Sequence, residues 1–538
     1  MLFKIELPEI LEEEKTSTVT ALLNIISQLA DLNNKQAIEI QQLKDEIAKL
    51  KGTNPKPKIR PSKISKNDDD LNGKKNENSE GKRPGSKKRK KKEELEIHEI
   101  KTLHPPDIPE GSEFKGYSDY TVQNIIIKPN NILYRRERWL TPSGVWIIAD
   151  LPDNVKSHYG SELQVYMLHL NYELNVTQPK IWETLTQNIG IDISKGHISN
   201  ILIENKDIFH EEKQALLEAG LRFSDYIVVD DTGARHKGKN GYCTHIGNEF
   251  FAWYKSTNSK SRINFLNLLR GKYTDYIIDE DALFYIENQS LAKEKLMLLK
   301  RAAGRELKNK AEWEKFLKMV GIRTKKDVRI ATEGALIGSI LSHGINKDIV
   351  IISDDAGQFN ILLHGLCWIH AERKINDLIP INDYQQKIID EIRDKIWDLY
   401  AKLKAYKKSP DEIKKIDLSI EFDEIFNNTK TEFDNINKVL KLLHANKKEL
   451  LMVLKRPEIP LHNNISENDI RVMAEKRKVH SGTRSDNGRD CRDTFMSLKK
   501  TCRKLKIQFC DYLLDRISGK NEIPLLNEII QQKILTGT

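Results

Sequence analysis

A chain of 538 residues with 38% hydrophobic residues is long enough for three or four domains with a sizeable core. Its five cysteines, at positions 243, 367, 491, 502 and 510, exclude a disulfide framework and suit a reducing cytoplasm. No apolar run approaches a membrane span, the acidic start carries no signal peptide, and a net charge of +9 points to a polyanionic partner.

Residues 12–50 carry a heptad seam. With Ile26 at position a, the a set is Ile26, Asn33, Ile40 and Ile47, and the d set is Leu22, Leu29, Gln36, Leu43 and Leu50. Isoleucine at a with leucine at d favours a parallel two-stranded coiled coil, and Asn33 would fix its register. A homodimer or larger assembly follows. The competing reading is an amphipathic helix packed on its own domain.

Residues 51–96 are too polar to bury a core and predict a disordered basic linker. Eight cations fall within residues 82–92, among them Lys87, Lys88, Arg89 and Lys90. They predict either a solubilising linker or an arm that contacts phosphates without reading sequence. Residues 97–155 hold short β-prone runs (TVQNIIIKP, NILYRRERWL, GVWIIADLP) between Pro and Gly, and predict a small β unit. Residues 156–220 are helical. A turn at Gly190 separates two helices whose apolar positions include Ile181, Leu185, Ile198, Ile201 and Leu202. This is a helix-turn-helix pattern, with Ser194, Lys195, His197 and Ser199 placed to face DNA.

Residues 221–515 hold two matching runs. Residues 226–232 read YIVVDDT and residues 348–355 read DIVIISDD. Each is an apolar, β-branched run that predicts a buried strand ending in two aspartates. The order is three antiparallel strands (225–230, 241–246 and 249–254, with a turn at 238–241), a helix from Lys260, a strand, a helix near Gly357, a short strand at 365–368, and a helix at 466–478. Charged helical insertions fall near 281–345 and 382–455. Two more helices and a C-terminal tail over 516–538 close the chain. This is the order of the ribonuclease H-like fold, in which the first and fourth strands are neighbours. The chain is thus expected to be multidomain α+β: a coiled-coil helix, a small β unit, a helix-turn-helix domain, and a ribonuclease H-like α/β catalytic core with helical insertions.

That neighbouring of strands would set Asp230 beside Asp354. With Glu467 on a helix they supply the hard oxygens that hold two divalent cations for phosphodiester chemistry. Asp231 and Asp355 compete for these roles, because any single strand-end Asp can be a turn or helix cap. Between Arg471 and Lys506 lie twelve Lys/Arg against four Asp/Glu, an excess that suits a phosphate backbone. Arg471, Arg477 and Lys478 belong to it. Cys367 and His370 form a lone Cys-x-x-His with no second pair at zinc spacing, so no zinc is expected. Packing for the cysteine and a hydrogen bond for the histidine are the bland roles. His370, with Arg373 and Lys374 after it, could also reach the scissile phosphate.

The blocks VDDTGARHKGKNGY, IISDDAGQFN with LCWIHAERK, and NNISENDIRVMAEKRK resemble the insertion-sequence transposases of the IS sixty-six type. The resemblance covers roughly residues 160–515. It implies a DDE catalytic domain with Asp230, Asp354 and Glu467 as acids and metal ligands, and Mg²⁺ as cofactor with Mn²⁺ able to substitute. It carries Asn463, Asn464, Arg471, Arg477 and Lys478 over from the family's last block. The chain departs from the family pattern in Asn468, where an arginine is usual. It also has no cysteine before Cys243, so a zinc segment has no ligands. The expected function is a DNA transposase of the bacterial nucleoid. It would bind double-stranded element ends and target DNA, cleave 3′ ends and transfer strands, with element-encoded accessory proteins as further partners. A catalytically inactive DNA-binding derivative and a nuclease that cuts without joining are the rivals.

Overall fold

The computed structural model describes residues 16–50, 96–152, 155, 157–380 and 382–536. The arm carrying Lys87, Lys88, Arg89 and Lys90 lies outside them. The chain divides into residues 36–127 and a larger unit made of the rest. In the smaller unit, residues 96–127 are exposed and form no regular element, so the TVQNIIIKP run is not a strand. Its backbone groups meet no partner strand, and without one a β-prone run stays extended. Among the described residues no helix is long and apolar enough to cross a membrane.

A long helix, α1 (Ser17–Leu50), covers most of the heptad stretch, with residues 17–35 in the larger unit. Leu23, Ser27 and Ala30 are buried. Asn24 accepts a hydrogen bond from the Asp434 backbone N–H at 3.2 Å, and Asp31 one from Asn435 Nδ2 at 2.5 Å. This face therefore packs on its own chain. The opposite stripe of Leu22, Ile25, Leu29 and Leu32 is exposed. Of the predicted a positions Ile26 is half-buried and Asn33 exposed, so the exposed apolar stripe passes through Ile25 rather than Ile26. The side chains of Ile40, Leu43, Ile47 and Leu50 lie outside those described. Among the described residues of the small β unit, Arg138–Leu140 and Trp146–Ile148 are the strands that pair.

The centre is a five-stranded sheet. Its strands are β1 (Tyr226–His236), β2 (Lys239–Gly247), β3 (Ala252–Thr257), β4 (Val350–Ser353) and β5 (Leu363–Leu366), in the order β3-β2-β1-β4-β5. β1–β2–β3 are antiparallel, while β4 runs parallel to both β1 and β5. The first and fourth strands are neighbours, as the element order predicts. Both faces are covered, which is why these strands read as continuous apolar runs. Ile227, Val229, Ile246 and Trp253 join one core with α2 (Asp207–Phe223), α3 (Arg262–Arg270) and the helix Lys325–Ser342. Val228, Val350 and Ile352 join a second core built by α4 (Trp368–Asn376) and the helices of the later insertion. Cys243 and Tyr254 pack against Met473 of α5 (Asn464–His480) and Met496 of α6 (Asp486–Lys504).

Four details differ from expectation. β1 runs on past Asp230 to His236, because the hairpin turn is Lys237–Gly238 with φ of 48° and 77°. Such positive φ values at both central residues define the two-residue turn that matches strand twist. Residues 356–361 form a loop rather than a helix. Three helices, not two, follow α5. The last, Leu526–Thr536, is no loose tail: Leu526 and Ile530 are fully buried, and the Leu526 N–H donates to Glu212 at 2.9 Å. The region 161–203 shares the first core with α2 and the closing helices.

Candidate active site

The parallel register pairs Val228 with Ile352. Carried two residues past its last pair, that register brings Asp230 level with Asp354, the residue just after β4, and neighbouring strands are separated by about 4.8 Å. β4 ends at Ser353, and Asp355 turns the chain away with φ of 80°. Asp354 is therefore the last side chain before the turn. Ser353 is fixed from behind by buried His364, whose Nε2 lies 2.9 Å from the hydroxyl. Burial pushes that imidazole down to about 4, so it stays neutral.

Asp230 is mid-strand, not at a strand end. Burial raises its carboxyl to about 7. The Asp231 N–H at 2.7 Å opposes this, and the charges of Asp354, Asp231 and Glu467 add to it. The rival aspartates are committed elsewhere. Asp231 accepts from the Thr244 hydroxyl at 2.5 Å and from Gln358 Nε2 at 3.0 Å. Asp355 is ion-paired with Lys374.

Glu467 sits in the first turn of α5. Its Oε1 is buried without a hydrogen-bond partner, 3.7 Å from His370 Nε2. Burial lowers the His370 pKa, against the charges of Glu467 and Asp354, and its Nδ1 also lacks a partner. Behind them Asn463 is fully buried with neither side-chain amide atom bonded, and its N–H reaches Cys367 Sγ at 3.4 Å. Unsatisfied buried polar atoms are costly and call for an explanation. Gathered beside two carboxylates, they fit a site that holds a hard cation. Among the described residues no three acid, His or Cys side chains stand close enough to hold one ion as they are. Like charges in a half-buried site stay apart until a cation offsets them.

What places Glu467 is a network that sequence reading missed. His245 is the β2 residue opposite Asp230. Its Nδ1 meets the Ser466 hydroxyl at 2.7 Å, and its Nε2 meets Asp469 at 3.1 Å. Lys500 and Lys504 of α6 reach the same carboxylate at 3.1 and 2.8 Å. Burial works against the charged form of Asp469, but His245 and Lys504 hold its carboxyl well below the usual range. Tyr254 donates to the Asp469 carbonyl at 2.8 Å. The residues just before and two after Glu467 are thus fastened to the sheet.

The cationic excess over 471–506 is spent largely inside the fold. Lys476 and Lys499 are buried on carbonyls of Asn171 and Tyr172, and Arg477 donates to Gly233 O. Arg471 and Lys478 are exposed. Arg373 is half-buried on α4. Ser194 caps the helix Lys195–Ile203 by accepting from the His197 N–H at 3.1 Å. Lys195 and His197 are exposed there, over Trp182 and beside Tyr159.

Residues 336–490 match the model of the Transposase IS66 family. That span includes Asp354, His370, Asn463 and Glu467. An uncharacterized protein of Sinorhizobium fredii, y4jO, is 40% identical over 304 residues, which is 56% of this chain and 94% of that relative.

Proposed function

The chain belongs to the IS66 transposase family, and from that premise we propose that it is a DDE-type DNA transposase with a ribonuclease H-like catalytic core. One observation carries the reading: the parallel register of β1 and β4, continued to the residue just past β4, points Asp230 and Asp354 to one level, while Glu467, with a buried oxygen that makes no hydrogen bond, lies near enough for its charge to act on Asp230. Asp230, Asp354 and Glu467 would hold Mg²⁺, with Mn²⁺ able to substitute. When bound, such ions make an attacking oxygen nucleophilic and stabilise the leaving one.

The rest of the work falls to the chain. Asp230, whose carboxyl burial raises, would have to be deprotonated to serve as a ligand. His370, whose pKa burial lowers, stands beside Glu467 and within reach of a phosphate there. Arg373 and the exposed Arg471 and Lys478 would supply positive charge for a DNA backbone, and Arg477 only with what its bond to the Gly233 carbonyl leaves free. The 194–199 turn, with Lys195 and His197, is the proposed helix-turn-helix contact to element ends. The arm through Lys87, Lys88, Arg89 and Lys90 would add phosphate contacts that weaken with salt. The exposed stripe on α1 is offered to a second copy, giving a dimer or larger assembly. Incubation of the protein with labelled element-end DNA and Mg²⁺ tests the proposal. Joined products support it. Cut but unjoined ends would indicate a nuclease, and binding alone an inactive derivative.

The raised pKa of Asp230 gives a pH signature. An acid raised on folding favours the folded state fully below about pH 4, and that contribution is lost as pH rises through about 7. Asp230→Asn stays neutral throughout. In chelator, it is expected to be more stable than the parent at pH 9 by about 2–4 kcal/mol, with the gap closing toward pH 4. Denaturant unfolding at the two pH values measures this. Added Mn²⁺ should reverse the order at pH 8, because only the parent binds it well.

A further inference from the structure

We infer that the tip of the β1–β2 hairpin, with the loop between α5 and α6, is a further DNA site: a fixed prong that grips the phosphate backbone of a duplex leaving the active site. The inference rests on the proposed function, because it takes the polymer held at the acids to be DNA. β1 runs six residues past Asp230, to His236. Residues 233–241 carry three Lys/Arg and no acid, and residues 477–489 carry four against Asp486 alone. The fold lashes these two segments together. The Lys237 N–H donates to the Thr483 carbonyl at 2.8 Å, and the Thr483 N–H to the Arg235 carbonyl at 3.0 Å. His236 Nδ1 meets the Thr483 hydroxyl at 2.8 Å. Gly482 lies so close that a Cβ there would stand 2.5 Å from the Arg235 carbonyl oxygen.

The charges gathered there are not balanced within the fold. Asp486 is taken by Lys237 at 2.5 Å and by Arg489 at 3.3 Å. The next acids along the chain act elsewhere: Asp490 pairs with Lys255 at 2.9 Å, and the charge of Glu475 acts on buried Lys499. Arg477 spends one N–H on the Gly233 carbonyl. Arg235, Lys239, Lys478 and Arg484 are exposed, and among the described residues no ion pair reaches them. Like charges held on a fixed surface repel one another, and a polyanion removes that cost.

Two elements that carry candidate acids end at this tip, which names the polyanion. Asp230 to His236 is six residues of strand, about 20 Å. Glu467 to His480 is thirteen residues of helix, again about 20 Å. Phosphates along one strand of a duplex are about 3.4 Å apart in the axis direction. A duplex with one phosphate at the acids, running along β1, therefore meets the tip cations about six steps away. Contacts of this kind position the DNA and read no bases.

The test is binding of two labelled duplexes, an element end and an unrelated sequence, by the full chain in chelator over a series of salt concentrations. Lys239→Gln combined with Arg484→Gln removes two exposed charges and no hydrogen bond described above. It is expected to lose about tenfold in affinity for both duplexes, and its slope of log affinity against log salt should fall by about 2. Lys404→Gln with Lys408→Gln, at exposed positions of the helix Asp383–Lys408, removes the same charge far from the tip in sequence and should change neither quantity. Parental affinity and slope in the tip variant would overturn the inference. So would an equal loss in the Lys404/Lys408 variant, which makes the effect one of net charge, or a loss confined to the element end, which makes it base reading. The measurement needs neither metal nor cleavage. A chain that binds through the tip and never cuts would sink the proposed function alone, and one that cuts and joins while the tip variant binds as the parent does would sink this inference alone.

Discussion

Asp354→Ala is expected to abolish 3′-end cleavage and strand joining while leaving DNA affinity within about twofold. The expected loss in rate is at least about 1,000-fold, equivalent to about 4 kcal/mol of transition-state stabilisation. Asp354 is the first residue past β4, just before the chain turns at Asp355. Only there does it come level with Asp230, so no neighbour can substitute. Glu467→Gln should lose as much, because it keeps the shape of the side chain and removes the charge that a cation needs. Asp355→Ala is the control. That residue is exposed and paired with Lys374, and its loss should change the rate severalfold at most. Gel assays of labelled ends with each variant decide the matter. Full activity in Asp354→Ala would remove the assignment.

Asp469→Ala is expected to cost about 3–5 kcal/mol of stability, the usual penalty for breaking a buried ionic cluster by removing one partner. It would strand Lys500, Lys504 and His245 without their shared carboxylate. It would also loosen the turn of α5 that carries Glu467, so cleavage should fall with stability. Urea unfolding gives the first quantity and the end-cleavage rate gives the second. Because Asp469 is held low, its contribution stands above the normal carboxylate range and disappears only in strong acid. A variant as stable as the parent at pH 7 would show that this cluster does not fasten the helix.

The parts legible in the sequence were those with a local signature. Two apolar runs closed by paired aspartates located β1, β4 and the acids on them, and the family blocks supplied Glu467. The preference for Asp230 over Asp231 rested on a strand end that does not exist, since β1 runs to His236. β1 continues through polar residues 232–236, whose pairing with β2 is set by a positive-φ turn and not by hydrophobicity. Lys476 and Lys499 look like surface cations in sequence and are buried on carbonyls in the fold. His245 and Asp469 are 224 residues apart, and no periodicity links them. The closing helix reads as a tail in sequence because its buried face is short, with Leu526 and Ile530 as its anchors.

The central claim is that Asp230, Asp354 and Glu467 form one divalent-cation site. Its most direct test is anomalous scattering from crystals of the protein bound to an element end and soaked in Mn²⁺. The account predicts one or two anomalous peaks within ligand distance of all three carboxylates, absent from Asp354→Ala. An ordered DNA end beside carboxylates that hold no manganese, or manganese bound only elsewhere, would contradict it.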